Sequence, residues 1–255
     1  MSTELRILPI AGIGDITPGA DLGFIIHSAL QQQGLTLQTG DILVVTQKIV
    51  SKAEGRLVPL DKVEPSQLAY TIAEQGNKDP RHVEVVLRES KRIVRMDHGV
   101  VISETHHGFI CANAGVDESN IDGAHQLALL PTDPDRSAQQ IYARLLQLAE
   151  HSDTPKIAVL ISDTWGRPWR NGQVNMAIGI AGMDALTDYR GQYDAYGYEL
   201  RASVIAVADE LASAAELVMG KVARIPVALI RGYDFPPAEG GIQSLIRDSA
   251  SDMFR

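Results

Sequence analysis

Residues 156–197 read KIAVLISDTWGRPWRNGQVNMAIGIAGMDALTDYRGQYDAYG. The stretch opens on Ile157, Ala158, Val159, Leu160 and Ile161, an unbroken apolar run of the kind expected in a buried strand. Ser162, Asp163 and Thr164 stop the run and are expected at the strand end. Arg167 and Arg170 follow on a segment with Gly166, Pro168, Asn171 and Gly172, which reads as a loop, and a small-residue segment comes after. A carboxylate and a hydroxyl at a strand end suit a hard cation, which takes oxygen ligands. Guanidinium forks a few residues on suit phosphate or carboxylate. Together they point to a site for a metal-bound nucleotide.

The chain has 255 residues, 45% hydrophobic and 22% charged. That is ordinary for a soluble globular protein and enough to bury a core, in one large domain or two intertwined units. No charged-then-apolar leader opens the sequence and no apolar run approaches ~18 residues, so a cytoplasmic protein without a membrane segment is expected. Cys111 is the single cysteine, which excludes an intrachain disulfide and a multi-cysteine zinc site. A net charge of −9 argues against nucleic acid as a partner. The basic residues nevertheless cluster: Lys48, Lys52 and Arg56; Arg88, Lys91, Arg92 and Arg95; Arg167 and Arg170. On an acidic protein such groups can focus a small anion into a cleft. The alternative for the second group, whose spacing is helical, is a solvated helix face.

No repeat or linker divides the chain, so residues 1–255 are read as a single domain, with two interleaved subdomains as a possible organisation and no clean boundary. Residues 5–10 read as a strand leading into Ala11-Gly12-Ile13-Gly14-Asp15-Ile16, whose glycines let a backbone approach a ligand. Asp21 is placed to N-cap a helix carrying Leu22, Ile25, Ile26 and Leu30. Residues 42–46 form another buried strand. After it comes Gln47-Lys48-Ile49-Val50-Ser51-Lys52; if extended, Lys48 and Lys52 share a side through the period of two. Residues 65–75 and 82–92 read as helices, and 93–95, 100–103 and 109–112 as strands of an antiparallel region. His106-His107 fits a solvated hairpin better than a metal site. Asp135 is expected to start a helix through Leu148. Residues 202–219 give the strongest helix signal, ending at Gly220, with Lys221 against the negative helix end. Residues 226–231 form a last strand, and the tail after Gly232 is expected to be partly mobile.

The common nucleotide and hydrolase motifs are absent: neither G-x-x-x-x-G-K-[ST], nor the dinucleotide fingerprint, nor H-E-x-x-H, nor G-x-S-x-G occurs. What remains is Asp117, Asp163 and Thr164 as oxygen ligands, with Lys52, Arg167 and Arg170 as anion binders. Asp117 lies in the polar run 113–120, for which a solvated Asx-turn is the competing reading. Spacing alone does not bring the two aspartates together.

Six longer motifs carry more information. In order they are LPIAGIGDITPGADL, DILVVTQKIVSKAEGR, GFICANAGVDESN, LPTDPDRSA, ISDTWGRPWRNGQVNMAIGIAGMDALTDYRGQYDAYGYEL and AVADELASAAELVMGK. Together they resemble the coenzyme F420:L-glutamate ligases, the gamma-glutamyl ligases of deazaflavin biosynthesis, over about residues 5–232. The resemblance implies an α+β fold of two mixed α/β subdomains with antiparallel sheets, forming an intertwined homodimer. It implies GTP-dependent ligation of L-glutamate to the lactyl carboxylate of the deazaflavin precursor through an acyl phosphate, then gamma-linked additions. It also implies Mg2+ or Mn2+, two per site, with K+ as a further candidate. Two other readings stay open: a metal-dependent phosphotransferase or hydrolase on a related phosphorylated cofactor, and a non-catalytic dimeric binder of GDP or deazaflavin.

Carried over by motif, the resemblance makes Asp117 and Asp163 ligands of one divalent cation and Thr164 a ligand of a second. Ile13, Gly14, Asp15 and Ile16 correspond to the first nucleotide loop, Lys52 to the phosphate-side lysine and Asn120 to a nucleotide contact. Met219, Gly220 and Lys221, within 217–224, correspond to the loop completing the nucleotide pocket. Gln47 stands where relatives can carry serine, so a backbone contact is expected there. Arg167 and Arg170 are assigned on physical grounds alone, to phosphate or the substrate carboxylate. Mycobacterial relatives carry a C-terminal nitroreductase-like domain; none is expected here, and the sequence reads as the ligase portion.

Overall fold

The computed structural model describes residues 4–117, 126–149 and 155–253. The first third of the chain gives β1 (Arg6–Ile10), α1 (Leu22–Gln32), β2 (Ile42–Thr46), α2 (Gln47–Ala53) and β3 (Leu57–Pro59). There follow α3 (Gln67–Gly76), α4 (Pro80–Arg88), β4 (Ser90–Asp97), β5 (Val100–Thr105), β6 (Ile110–Ala112) and β7 (Gln126–Ala128). The remainder supplies α5 (Pro134–Leu148), β8 (Ala158–Arg167), β9 (Arg170–Ala181), β10 (Thr187–Asp188), β11 (Val204–Ile205), α6 (Val207–Met219) and β12 (Val227–Arg231).

Five strands form the main sheet in the order β1-β12-β2-β8-β9. All neighbours are antiparallel except β2 and β8. The three apolar runs seen in the sequence are its centre: residues 42–45, 157–161 and 227–230 are buried without alternation. Such burial requires cover on both faces. It comes from α6, which packs across the sheet, and from α1 and α5, which pack on each other and on β1, β8 and β9. Asp21 caps α1 through the Phe24 amide, as expected. Asp133, not Asp135, caps α5; Pro134 takes the first helical position, and Asp135 instead accepts the Ile180 and Ile242 amides.

A second buried cluster is built by α3 and α4 with Val101, Ala114, Val116, Leu127 and Leu129. Beside it, β4, β5 and β6 form an antiparallel sheet, and β3 pairs with β7. The two layers meet closely where Gly76 ends α3 against Gly99 of the β4–β5 turn. A Cβ at Gly99, whose φ is +72°, would lie 2.3 Å from the Gly76 Cα.

The mixed α+β class and its largely antiparallel sheets agree with expectation. Three further local readings change here. Lys91, Arg92 and Arg95 lie on strand β4, not on a helix, and Lys91 and Arg92 both hold Glu104, at 3.0 and 2.7 Å. Lys48 and Lys52 share a side because they are one helical turn apart on α2, not because the segment is extended. The tail returns to the body: Met183 bridges Pro237, and buried Ile242 donates its amide to Asp135. The two histidines sit in the β5–β6 hairpin, each ring held by a backbone carbonyl, of Arg88 and of Pro131. No helix among the described residues is long and apolar enough to cross a membrane.

Candidate functional site

The parallel strands β2 and β8 bring their carboxyl ends to one edge, with Thr46 the register partner of Ser162. Beyond this pair β2 gives way to α2, while β8 continues with β9 as a two-stranded arm. Asp163 is therefore the first β8 residue past the five-stranded sheet, not the end of its strand. The crevice outside the carboxyl ends of parallel strands is where open α/β sheets take ligands. A bulge marks the same place: Ile161 pairs with Gly179 and Ser162 with Ala177, leaving Ile178 extra on β9.

Alternation along β8 sends Asp163 and Thr164 to opposite faces. On the first face, Asp163 accepts the Thr164 amide at 2.8 Å and the Trp165 indole N–H at 2.7 Å. Trp165 packs on Phe109, which stacks on His107. Burial among these groups pushes the Asp163 carboxyl up to about 6; the Asp117 charge adds to the rise, and the two N–H donors and Lys48 oppose it. Asp117 is tied to Ala128 by reciprocal backbone hydrogen bonds, and its Oδ2 meets the Lys48 ammonium at 2.7 Å. Asp117, Asp163 and Lys48 thus form one electrostatic group drawn from three separate segments. Cys111 lies within the reach of this group as an inert thiol, pushed up to about 12 by burial and by the Asp163 charge.

On the second face Thr164 meets α6 and its cap. Its hydroxyl donates to Asn175 Oδ1 at 2.6 Å and accepts from the Lys221 ammonium at 2.5 Å. Asn175 Nδ2 reaches Glu216 Oε2 at 3.0 Å, and Glu216 Oε1 pairs with Lys221 at 3.3 Å. Lys221 is thus a member of a side-chain network rather than only a helix cap. Gly220, at φ +57°, turns the chain from buried Met219 toward it.

The remaining candidates are spread around this edge. Ile13 and Ile16 are buried, leaving Gly14 and Asp15 exposed on a loop tied to α2 by the Gly19 amide and the Ala53 carbonyl. Gln47 is buried at the start of α2, with Oε1 accepting the Ser51 hydroxyl and Nε2 unsatisfied. Lys52 lies one turn beyond Lys48, yet Lys48 is the lysine that reaches Asp117. Asn120 lies outside the described residues. Arg167 and Arg170 form no part of the Asp163 cluster. They are register partners at the tip of the arm, about 13 Å from Asp163 at ~3.3 Å per strand residue. Sequence reasoning paired Lys48 with Lys52 but carried only Lys52 into the site, and it passed over Asn175 and Glu216, for which it offered no signal.

No three His, Cys, Asp or Glu side chains converge as a metal centre among the described residues. The donors that gather on the first face are the carboxylates of Asp117 and Asp163, hard oxygens that raise each other's energy when ionised, while the Thr164 hydroxyl stands apart on the second face. A divalent cation of the magnesium type fits that donor set and would relieve the repulsion, with other positions left for substrate oxygens.

Residues 12–232 match the family described as F420-0:Gamma-glutamyl ligase, and the chain belongs to that family. Among individual proteins it is 45% identical over 251 residues to the coenzyme F420:L-glutamate ligase of Methanothermobacter thermautotrophicus, covering 97% of this chain and 96% of that one. It is 43% identical to the protein of the same name from Methanopyrus kandleri over 98% of both chains. With that from Methanocaldococcus jannaschii it shares 43% over 86% of both.

Proposed function

We propose that this chain is a GTP- and divalent-metal-dependent ligase joining L-glutamate to the lactyl carboxylate of the deazaflavin F420 precursor, then extending it through gamma-linkages. The observation that carries the reading is the grouping of Asp117, Asp163 and Lys48 at the carboxyl edge of the β2–β8 pair. It is supported by the ligase name borne by relatives aligned over nearly the whole chain.

In this reaction the precursor carboxylate attacks the γ-phosphorus of GTP, and GDP leaves with the electrons of the broken P–O bond. The glutamate amine then attacks the acyl phosphate, phosphate departs, and the amine's surplus proton is released. When bound, divalent cations neutralise the charge building on the transferred phosphoryl group. Asp117 and Asp163 would hold one cation from the first face of β8, and Thr164 a second from the other. Lys48, Lys52 and Lys221 bring positive charge to the polyphosphate. Gly14 and Asp15 present the first loop to the nucleotide, and the Met219-Gly220-Lys221 turn closes it. Arg167 and Arg170, at the arm tip, suit the more distant carboxylates of the substrate or its growing glutamate tail. The same reading makes the protein a homodimer.

The test is to incubate the protein with GTP, magnesium or manganese, glutamate and the precursor, and to follow product mass and GDP. Stepwise gains of one glutamate residue with matching GDP support the proposal. GTP hydrolysis without mass gain indicates a hydrolase, and tight binding without reaction a binder. Asp163→Asn is expected to abolish turnover with the fold intact.

A further inference from the structure

Thr164, Asn175, Glu216 and Lys221 close a ring in which every polar group has one possible role. An ammonium only donates and a carboxylate only accepts. Lys221 must therefore donate to Thr164 Oγ1, and the Thr164 proton is left for Asn175 Oδ1. That fixes the Asn175 amide with its nitrogen toward Glu216, which accepts from it and pairs with Lys221 through its other oxygen. A flipped amide would set Asn175 and Lys221 both donating to Thr164 and strand its proton.

The ring is also anchored. Asn175 is 2% exposed, is the register partner of Thr164, and has its carbonyl held by the Ser213 hydroxyl at 2.7 Å. Glu216 sits in the last turn of α6, and its carbonyl takes the amide of Gly220, next to Lys221. A charged pair and a buried amide thus orient one hydroxyl at the edge of the site.

We propose that Asn175 and Glu216 are positioning residues: Asn175 takes the Thr164 proton so that the one hydroxyl lone pair not engaged by Lys221 faces a cation, and Glu216 holds the Lys221 ammonium for the nucleotide phosphates. This rests on the metal–nucleotide reading above. It assigns neither residue to the reacting atoms. Glu216 acts through Lys221, and Asn175 through Thr164.

The two roles separate by variant. Glu216→Gln keeps an oxygen for Asn175 and loses the charge pair, so the KM for GTP rises about tenfold, the worth of one charge-assisted hydrogen bond, with kcat little changed. Adding Glu216→Gln to Lys221→Met changes KM no further than Lys221→Met alone. Asn175→Leu weakens Mn2+ binding about tenfold, read by electron paramagnetic resonance without nucleotide, while Thr164→Ser, which keeps the hydroxyl, retains it. A merely structural role would lower the melting temperature and active fraction and leave KM and Mn2+ affinity unchanged; that result overturns the proposal, as does additivity in the double variant. A wild-type chain without GTP-dependent turnover removes the underlying reading, and with it this proposal.

Discussion

Thr164 and Asn175 stand opposite each other as register partners on β8 and β9, and their side chains meet at 2.6 Å. Asp163, one residue earlier, faces away from both and toward Asp117 and Lys48. The strand itself is therefore the partition of the site. Oxygen donors adjacent in sequence serve two separate groups, each with its own lysine.

The raised Asp163 carboxyl makes stability depend on pH in a definite direction. Its pKa is about 6 in the fold against 3.8 for an ordinary aspartate. Between these values the folded protein holds a proton that the unfolded chain has released. The contribution is full below the lower value and is lost as pH rises through the upper one. In chelator, Asp163→Asn is expected to be more stable than the wild type near neutral pH by about 2 kcal/mol, and to flatten the profile. Urea unfolding of both proteins across the window checks it; an advantage of the variant that does not grow as pH rises from 3.8 to about 6 would contradict the assignment.

Lys48 offsets the two carboxylates. Lys48→Met removes the 2.7 Å contact with Asp117 and the opposing charge on Asp163. Without divalent cations the variant is expected to lose about 1 kcal/mol, the range of a partly exposed pair. Mn2+ should then raise its melting temperature more than it raises that of the wild type. Equal gains in a thermal melt would argue that the cation does not bind beside Lys48.

Asp41, just before β2, and Arg231, at the end of β12, form an ion pair with contacts of 2.7 and 2.8 Å and the Asp41 side chain wholly buried. Arg231→Met leaves that carboxylate without its partner, at an expected cost of about 3–5 kcal/mol. Asp41→Asn in the same chain should recover part of the loss. The urea midpoints of the two variants decide it.

Gly99→Ala adds a methyl group against the Gly76 backbone at a left-handed φ of +72°. The expected loss is about 2–4 kcal/mol, strain and overpacking together. Gly191, at φ +80° with open space around it, gives the control: its alanine variant carries only the strain, about 1 kcal/mol. Melting temperatures of the pair separate crowding from conformation.

The sequence was most legible where burial is continuous. The runs at 42–46, 157–161 and 226–231 announce themselves because a fully covered strand leaves little room for polar residues, and the alanine-rich helix α6 because its buried positions recur at helical spacing. The same signal misplaces the end of β8. Apolar patterning reports burial, whereas the arm beyond Ile161 is held by pairing with β9 and is only partly covered. Asp117 and Asp163 carry their chemistry in their residue type, but their meeting depends on strand order, which no local residue encodes. Asn175 illustrates the limit. Within VNMAIGIA it reads as a stray polar residue, and only the register with Thr164 gives it work.

Strand β12 lies between β1 and β2, and every backbone partner of β1 in the sheet belongs to it. The earliest strand to be synthesised therefore has nothing to pair with until the latest has been made. Contacts so distant along the chain slow folding and leave a strand edge waiting. On the ribosome the helices and the second core can assemble first, while the candidate-site edge of β2 and β8 stays unsupported on one flank. Activity in a nascent chain should thus switch on late and all at once, when β12 slides in and closes the sheet.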